Sequence, residues 1–214
     1  MTVNVLVTGF GPFPGAPVNP SAELIAMLDG SGGAFAGAKL HTRLLPVDYS
    51  AVPRLLETAG GEVRPDIAIH FGLAAVARGF RLESTARNHS SLTQPDAAGG
   101  TSTSSQICPG PSSLRSTLPL NDIAAALKAR GLPVTRSAHA GAYLCNHTFY
   151  LSRSASIENF APAMSGFVHI PYLDEQLPAL PDGGAGLASL TRSQLLEGAK
   201  MIIETSITAY QAAA

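Results

Sequence analysis

The sequence predicts an α/β protein, a three-layer α/β/α sandwich around a mixed, largely parallel open sheet. Three observations predict it. Segments with strand-like and helix-like apolar patterns alternate along the chain, the arrangement that puts helices on both faces of a sheet. The first strand runs directly into a Gly-rich turn and then a helix, a β-turn-α start. Asp66–Leu73 is apolar on both faces, as a strand covered on each side must be.

The elements follow in order. Val3–Phe10 (VNVLVTGF) is a buried strand, and Asn19–Gly30 is a helix opened by Pro20 or Ser21 and stopped near Gly30. Ala38–Val47 is a second strand. Asp48–Gly60 is a short helix whose Pro53 must lie in its first turn, where its missing N–H costs nothing. Asp66–Leu73 is the central strand, and Gly79–Thr85 continues as a strand in which Phe80 and Leu82 alternate with Arg81 and Glu83. From Ala86 to Leu118 the chain is rich in Ser, Thr, Gly and Pro, too long for a connector, and is expected to be a functional flap or a partly mobile segment. Asn121–Gly131 is a helix with Asn121 as its N-cap and Gly131 as its stop. Pro133–Ser137 is a short strand, and an apolar helix begins close to Cys145. Ser165–Leu173 is another strand, which carries His169. Leu190–Ala214 is a long amphipathic helix with Leu195, Leu196, Ala199, Ile202, Ile203 and Ile207 at three- and four-residue steps.

Composition narrows the function. The 214 residues are 45% hydrophobic with no compositional break, which predicts a single domain over residues 1–214. The net charge is −1 and only 14% of residues are charged, so no basic field attracts nucleic acid. No apolar run approaches the roughly 20 residues of a membrane span. Two cysteines make no disulfide framework and the N-terminus lacks signal-peptide character; reduced thiols and a cytoplasmic location are expected.

Three side chains carry possible chemistry. Cys145 at a helix start has an ordinary reading as a small buried apolar residue. It has a second reading as a nucleophile, because unpaired N–H groups at a helix start favour the thiolate and can hold an oxyanion. A metal site built from Cys145 and His147 has little support, since residues two apart on a helix point in different directions; no metal is expected. His147 reads as a packing or hydrogen-bonding residue. His169, late in an apolar strand, reads either as a structural histidine or as a general base. Glu83 is by default a solvated strand residue, but a carboxylate near the core could orient an imidazole. Cys108, before a proline in the polar segment, reads as a partly exposed thiol.

The chain also resembles the pyroglutamyl peptidase I (pyrrolidone-carboxylate peptidase) family of cysteine peptidases over nearly its whole length. VLVTGFGPFPGAPVNPS is similar to the family's N-terminal signature, with Phe10, Pro12, Phe13, Asn19, Pro20 and Ser21 in place. GAYLCNHTFY is similar to its nucleophile signature and GFVHIPYLDEQ to its histidine signature. Gly72 to Glu83 has the spacing of its glutamate segment, with Asn88 following. The resemblance implies Cys145 as nucleophile, His169 as base and Glu83 as orienter, with Phe10, Phe13, Asn19 and Leu73 at the substrate. It implies no cofactor, a small peptide substrate with a blocked N-terminus, and a homo-oligomer of two or four copies.

The departures are specific. Leu73 stands at the family's glutamine, Ala75, Val76 and Ala77 at its Gly-Gly-Arg, and Thr93 at a further arginine; of the segment Ser91–Ala97 only Pro95 and Asp96 match. The lost glutamine would remove a hydrogen bond to the lactam, about 0.5–1.5 kcal/mol, weakening selectivity before abolishing turnover. Three readings stand beside one another here. They are a pyroglutamyl peptidase or a relative with altered acyl specificity, a binding protein that has lost turnover, and, by fold analogy alone, a nucleoside phosphorylase using Arg78 and Arg81.

Overall fold

The computed structural model describes residues 2–30 and 34–213. The remaining positions of the predicted 1–214 unit lie outside the described residues. The strands are β1 (Val3–Phe10), β2 (Ala34–Phe35), β3 (Ala38–Leu45), β4 (Ile67–Leu73), β5 (Phe80–Glu83), β6 (Thr85–Arg87), β7 (Ser113–Arg115), β8 (Val134–Ser137) and β9 (Met164–Ile170). The helices are α1 (Pro20–Gly30), α2 (Ala51–Val63), α3 (Leu120–Ala129), α4 (Leu144–Ser154) and α5 (Arg192–Ala213). Seven strands form one sheet in the order β2-β3-β1-β4-β9-β5-β8. The β3–β1–β4–β9 block is parallel, β2 is antiparallel to β3, and β5 pairs antiparallel with β9 while running parallel to β8. The predicted mixed, largely parallel sandwich is therefore the fold.

Pleat alternation divides the core into two layers. On one face Val3, Val5, Val7, Ile67, Ile69, Phe71, Phe80, Leu82, Val168 and Ile170 meet Leu24 and Leu28 of α1, Ile123 and Leu127 of α3, and Leu195, Ala199, Ile202, Ile203 and Ile207 of α5. On the other, Leu6, Phe10, Ala68 and Phe167 meet Val52 and Leu56 of α2 and Leu144, Phe149, Tyr150 and Leu151 of α4. The apolar steps read in the last helix are its buried stripe, with Leu196 at the margin. Gly198 faces the sheet where the ring of Phe80 occupies the space a β-carbon would need.

Four local expectations change. Asn121 is not the cap of α3. Pro119, its φ fixed by the ring at −75°, occupies that position, its carbonyl accepts from the Ile123 N–H, and Asn121 instead accepts from Arg136. The two-residue β2 was not foreseen. Nor were the two short 3-10 turns, Asp174–Ala179 and Pro181–Gly184, between the strand pair β10 (Tyr172–Leu173) and β11 (Ser189–Leu190).

The fourth change concerns the long polar segment, which is not featureless. β6 and β7 pair as an antiparallel ribbon, and three side chains tie the stretch between and beside them. Asn88 accepts from Ile107 N and donates to Cys108 O. Asp96 accepts from the N–H groups of Tyr49, Ala98 and Gly100. Asn146 of α4 accepts from Arg87 N and donates to the carbonyls of Arg87 and His89. A Ser- and Gly-rich sequence cannot order itself by burial, so these side chains bond the backbone groups in place of a ladder.

Gly198→Ala is expected to cost about 1–3 kcal/mol, because the new methyl must displace either the Phe80 ring or α5 itself. Thermal unfolding followed by circular dichroism should show a melting temperature several degrees lower.

Candidate active site

Cys145, His169 and Glu83 lie far apart in sequence and meet on the α4 face of the sheet. Antiparallel pairing sets Arg81 opposite His169 and Glu83 opposite Phe167, so the side chains of Arg81, Glu83, Phe167 and His169 share that face. Glu83 Oε1 accepts from His169 Nδ1 at 2.9 Å, and the Glu83 side chain is completely buried. The default reading of Glu83 as a solvated strand residue is thus overturned, because the side chain is enclosed and paired with His169 and Arg81.

The cysteine reaches the pair through Gly72. Parallel pairing places Gly72 beside His169, and a β-carbon built on Gly72 would lie 2.9 Å from Cys145 Sγ and 2.8 Å from the Phe167 ring. The sulfur therefore rests on bare backbone next to the imidazole. The ring of Phe167 packs against His169 with centroids 4.8 Å apart, and Phe10 packs behind it at 6.4 Å. Tyr143, the residue before α4, donates from its hydroxyl to Pro95 O at 2.9 Å, fixing the approach to the helix.

Electrostatics assign the resting protonation. Burial pushes the Glu83 carboxyl up, but the hydrogen bond from His169, the nearby Ser137 hydroxyl and the positive charges of His169 and Arg81 outweigh it and hold the carboxyl below its ordinary range. Glu83 is ionised at neutral pH and accepts the hydrogen bond of Nδ1–H, leaving Nε2 as the free basic nitrogen. Burial, and then the charge of Glu83, push the Cys145 thiol up to about 12, against the pull of its own backbone N–H. The helix start alone does not yield a resting thiolate here; a base must take the proton.

The remaining expected residues divide. Phe10 is buried beside Phe167 and Phe13 is half-buried against the same cluster. Asn19 is buried, donating to Gly11 O at 3.0 Å and accepting from the N–H and hydroxyl of Ser21, which in turn accepts from Phe10 N. Its polar atoms are spent on the loop that carries Phe10 and Phe13, so it shapes the site rather than offering itself to a substrate. Leu73 ends β4 half-buried, and pleat alternation assigns it to the face opposite Gly72. His147 bonds Ser90 through Nδ1 at 3.0 Å and meets the Tyr49 ring edge-on, a packing role as read from sequence. Cys108 is half-buried in the polar segment. Among the described residues no three His, Cys, Asp or Glu side chains converge to hold a metal ion.

Sequence reasoning missed what surrounds these groups. Gly72 was read as a motif position, not as the seat of the sulfur. A buried polar chain, Thr8–His70–Ser152–Ser165, runs beneath the site with links of 2.8, 2.8 and 2.5 Å. His70 is enclosed, and burial alone pushes its imidazole down to about 3; burial takes His147 down to about 4.

The chain matches the pyroglutamyl peptidase family model over residues 3–209. It is 38% identical to a pyrrolidone-carboxylate peptidase of Pyrococcus furiosus over 206 residues, 96% of this chain and 98% of that one. It is also 38% identical to pyrrolidone-carboxylate peptidase 1 of Ralstonia nicotianae, covering 95% and 92%. A mutant pyrrolidone carboxyl peptidase of P. furiosus superposes with a TM-score of 0.89 at 37% identity, covering 97% and 99% of the two chains. The corresponding enzyme of Fervidobacterium islandicum gives 0.88 at 33%, covering 95% and 97%.

Two predictions follow from this geometry. Gly72→Ala should displace the sulfur or the Phe167 ring and lower kcat/KM at least tenfold, since a misplacement near 1 Å can cost about a hundredfold; alkylation rates of Cys145 and steady-state kinetics would read it. Acid should destabilise the fold through its neutral histidines. Unfolded histidines titrate near 6.5, so between there and about 4 the unfolded chain binds more protons. Stability is full above that range and falls with pH, by about 1.4 kcal/mol per pH unit for each of His70 and His147. Urea unfolding at a series of pH values should show this slope, shallower in His70→Gln.

Proposed function

The chain belongs to the pyroglutamyl peptidase family, a cysteine-type peptidase family, and we propose that Cys145, His169 and Glu83 carry its reaction, removal of an N-terminal pyroglutamyl residue from a peptide. The observation that carries the assignment is the sulfur seated on Gly72 beside an imidazole whose Nδ1 is bonded to a buried carboxylate.

The steps follow from that arrangement. His169 Nε2 takes the Cys145 proton as the sulfur attacks the pyroglutamyl carbonyl carbon. Glu83 fixes the tautomer and stabilises the imidazolium as it forms. The first-turn N–H groups of α4, which have no intrahelical acceptor, hold the developing oxyanion. The imidazolium then protonates the departing amine and a thioester remains. His169 next draws a proton from water, hydroxide adds to the thioester, and the thiol and free pyroglutamate are released. Phe10 and Phe13 offer apolar surface to the flat lactam. The same reading takes the chain as a single domain acting in the cytoplasm, where the thiol stays reduced, and as a homo-oligomer.

A pyroglutamyl fluorogenic amide, with a prolyl analogue as selectivity control, tests the assignment under reducing conditions. Wild type should cleave the first and not the second, Cys145→Ser should fall to background, and Glu83→Gln should lose about a hundredfold or more in kcat. Cys108→Ser should match wild type. No cleavage by well-folded wild type, or loss of activity in Cys108→Ser alone, would overturn the reading.

A further inference from the structure

The carboxylate that orients His169 is held in an unusual way. Glu83 Oε1 accepts from His169 Nδ1 at 2.9 Å and lies 2.9 Å from Arg81 Nε, an ion pair by distance in which the Nε–H makes no hydrogen bond. Glu83 Oε2, equally buried, has no hydrogen-bond partner. One oxygen thus serves two cationic or potentially cationic groups. The guanidinium is itself tied down: Nη2 donates to Ser137 Oγ at 2.8 Å and to His139 O at 3.0 Å. It also lines a surface cleft of about 350 Å³ together with Arg78 and Arg136.

We propose that Arg81 is a positioning residue for the reaction, holding the Glu83 carboxylate in place and limiting how strongly that carboxylate attracts a proton to His169. The inference rests on the assignment of Cys145, His169 and Glu83 made above. With a neutral imidazole the Arg81–Glu83–His169 cluster is uncharged; with an imidazolium it carries one positive charge. Without Arg81 the same two states would carry −1 and zero, and the protonated state would gain. A base that yields its proton readily is better matched to donating it to the departing amine. The charge on Arg81 supplies that readiness.

The other groups facing the dyad do not substitute for it. From α4 it meets the Cys145 thiol. β4 presents Gly72 and, one pleat further, the neutral His70 stacked on Phe167. The segment after β8 contributes the Ser137 hydroxyl and the His139 carbonyl, both bonded to Arg81. Arg78 and Arg136 line the same cleft as Arg81, and Arg136 is engaged by Asn121.

The experiment is the pH profile of kcat/KM for wild type, Arg81→Gln and Arg81→Lys, with NMR titration of the His169 imidazole in each. Loss of the charge should move both limbs of the profile and the His169 titration to higher pH, by about one unit. Arg81→Lys should return the midpoints toward wild type with kcat/KM still reduced, because an ammonium cannot fork to Glu83, Ser137 and His139 together. Unmoved midpoints in Arg81→Gln, whatever its rate, would overturn the proposal and leave Arg81 a packing residue. If Arg81→Gln does not fold, Arg81→Met, which keeps the apolar stem and removes the charge, should move the His169 titration in the same direction; no movement there would overturn the proposal as well. The NMR titration needs no turnover, so an inactive wild type would count against the peptidase assignment while the effect of Arg81 on His169 was still measured.

Discussion

The antiparallel contact between β5 and β9 is the constraint on which the rest of the site depends. β4, β1 and β3 run parallel to β9, so their equivalent ends cluster together; the reversed β5 brings a carboxylate at its own end against an imidazole near the end of β9. Hydrogen bonding along that pair fixes His169 opposite Arg81 and one pleat from Glu83. Burying Glu83 is costly unless it is paired. The fold meets that cost by supplying two partners through one oxygen, and the same pairing that makes burial tolerable is what readies the imidazole for chemistry.

The nucleophile is positioned by a complementary economy of space. α4 can bring Cys145 to the sheet only because Gly72 has no side chain, and it can carry the thiol to the first turn because Tyr143 and Asn146 lock the flanking segments. Asn146 is adjacent in sequence to the nucleophile yet turned away from it, bonding the backbone of residues 87–89. Neighbouring positions on one helix therefore do separate work: one sets its sulfur on the sheet, the next holds the polar segment against the body of the protein.

The alternation of strands and helices was legible because apolar periodicity reports burial directly, and residues such as Ile202, Ile203 and Leu82 sit where their pattern puts them. Cys145, His169 and Glu83 stood out as a set mainly through resemblance, since a lone cysteine, histidine and glutamate each have an ordinary explanation. Composition said little about the segment after Glu83: its Ser, Thr and Gly mark it as polar, while Asn88 and Asp96 bond its backbone through contacts that no local pattern encodes. The role of Arg81 was half visible. Strand alternation already set it on the face of Glu83, but that the two share an oxygen with His169 depends on a strand pairing 86 residues away in the chain.

The strand order has a consequence for how the protein comes into being. β9 lies between β4 and β5 in space, but is made long after both. On the ribosome, the portion carrying β1, β3 and β4 and the portion carrying β5 and β8 emerge with an open slot between them. The slot is filled only when residues 164–170 arrive. Because His169 is part of the strand that fills it, no shorter nascent chain holds the imidazole that Glu83 binds. Pairing of β9 with β4 and β5 joins segments far apart in the chain, the kind of contact that folds slowly in general.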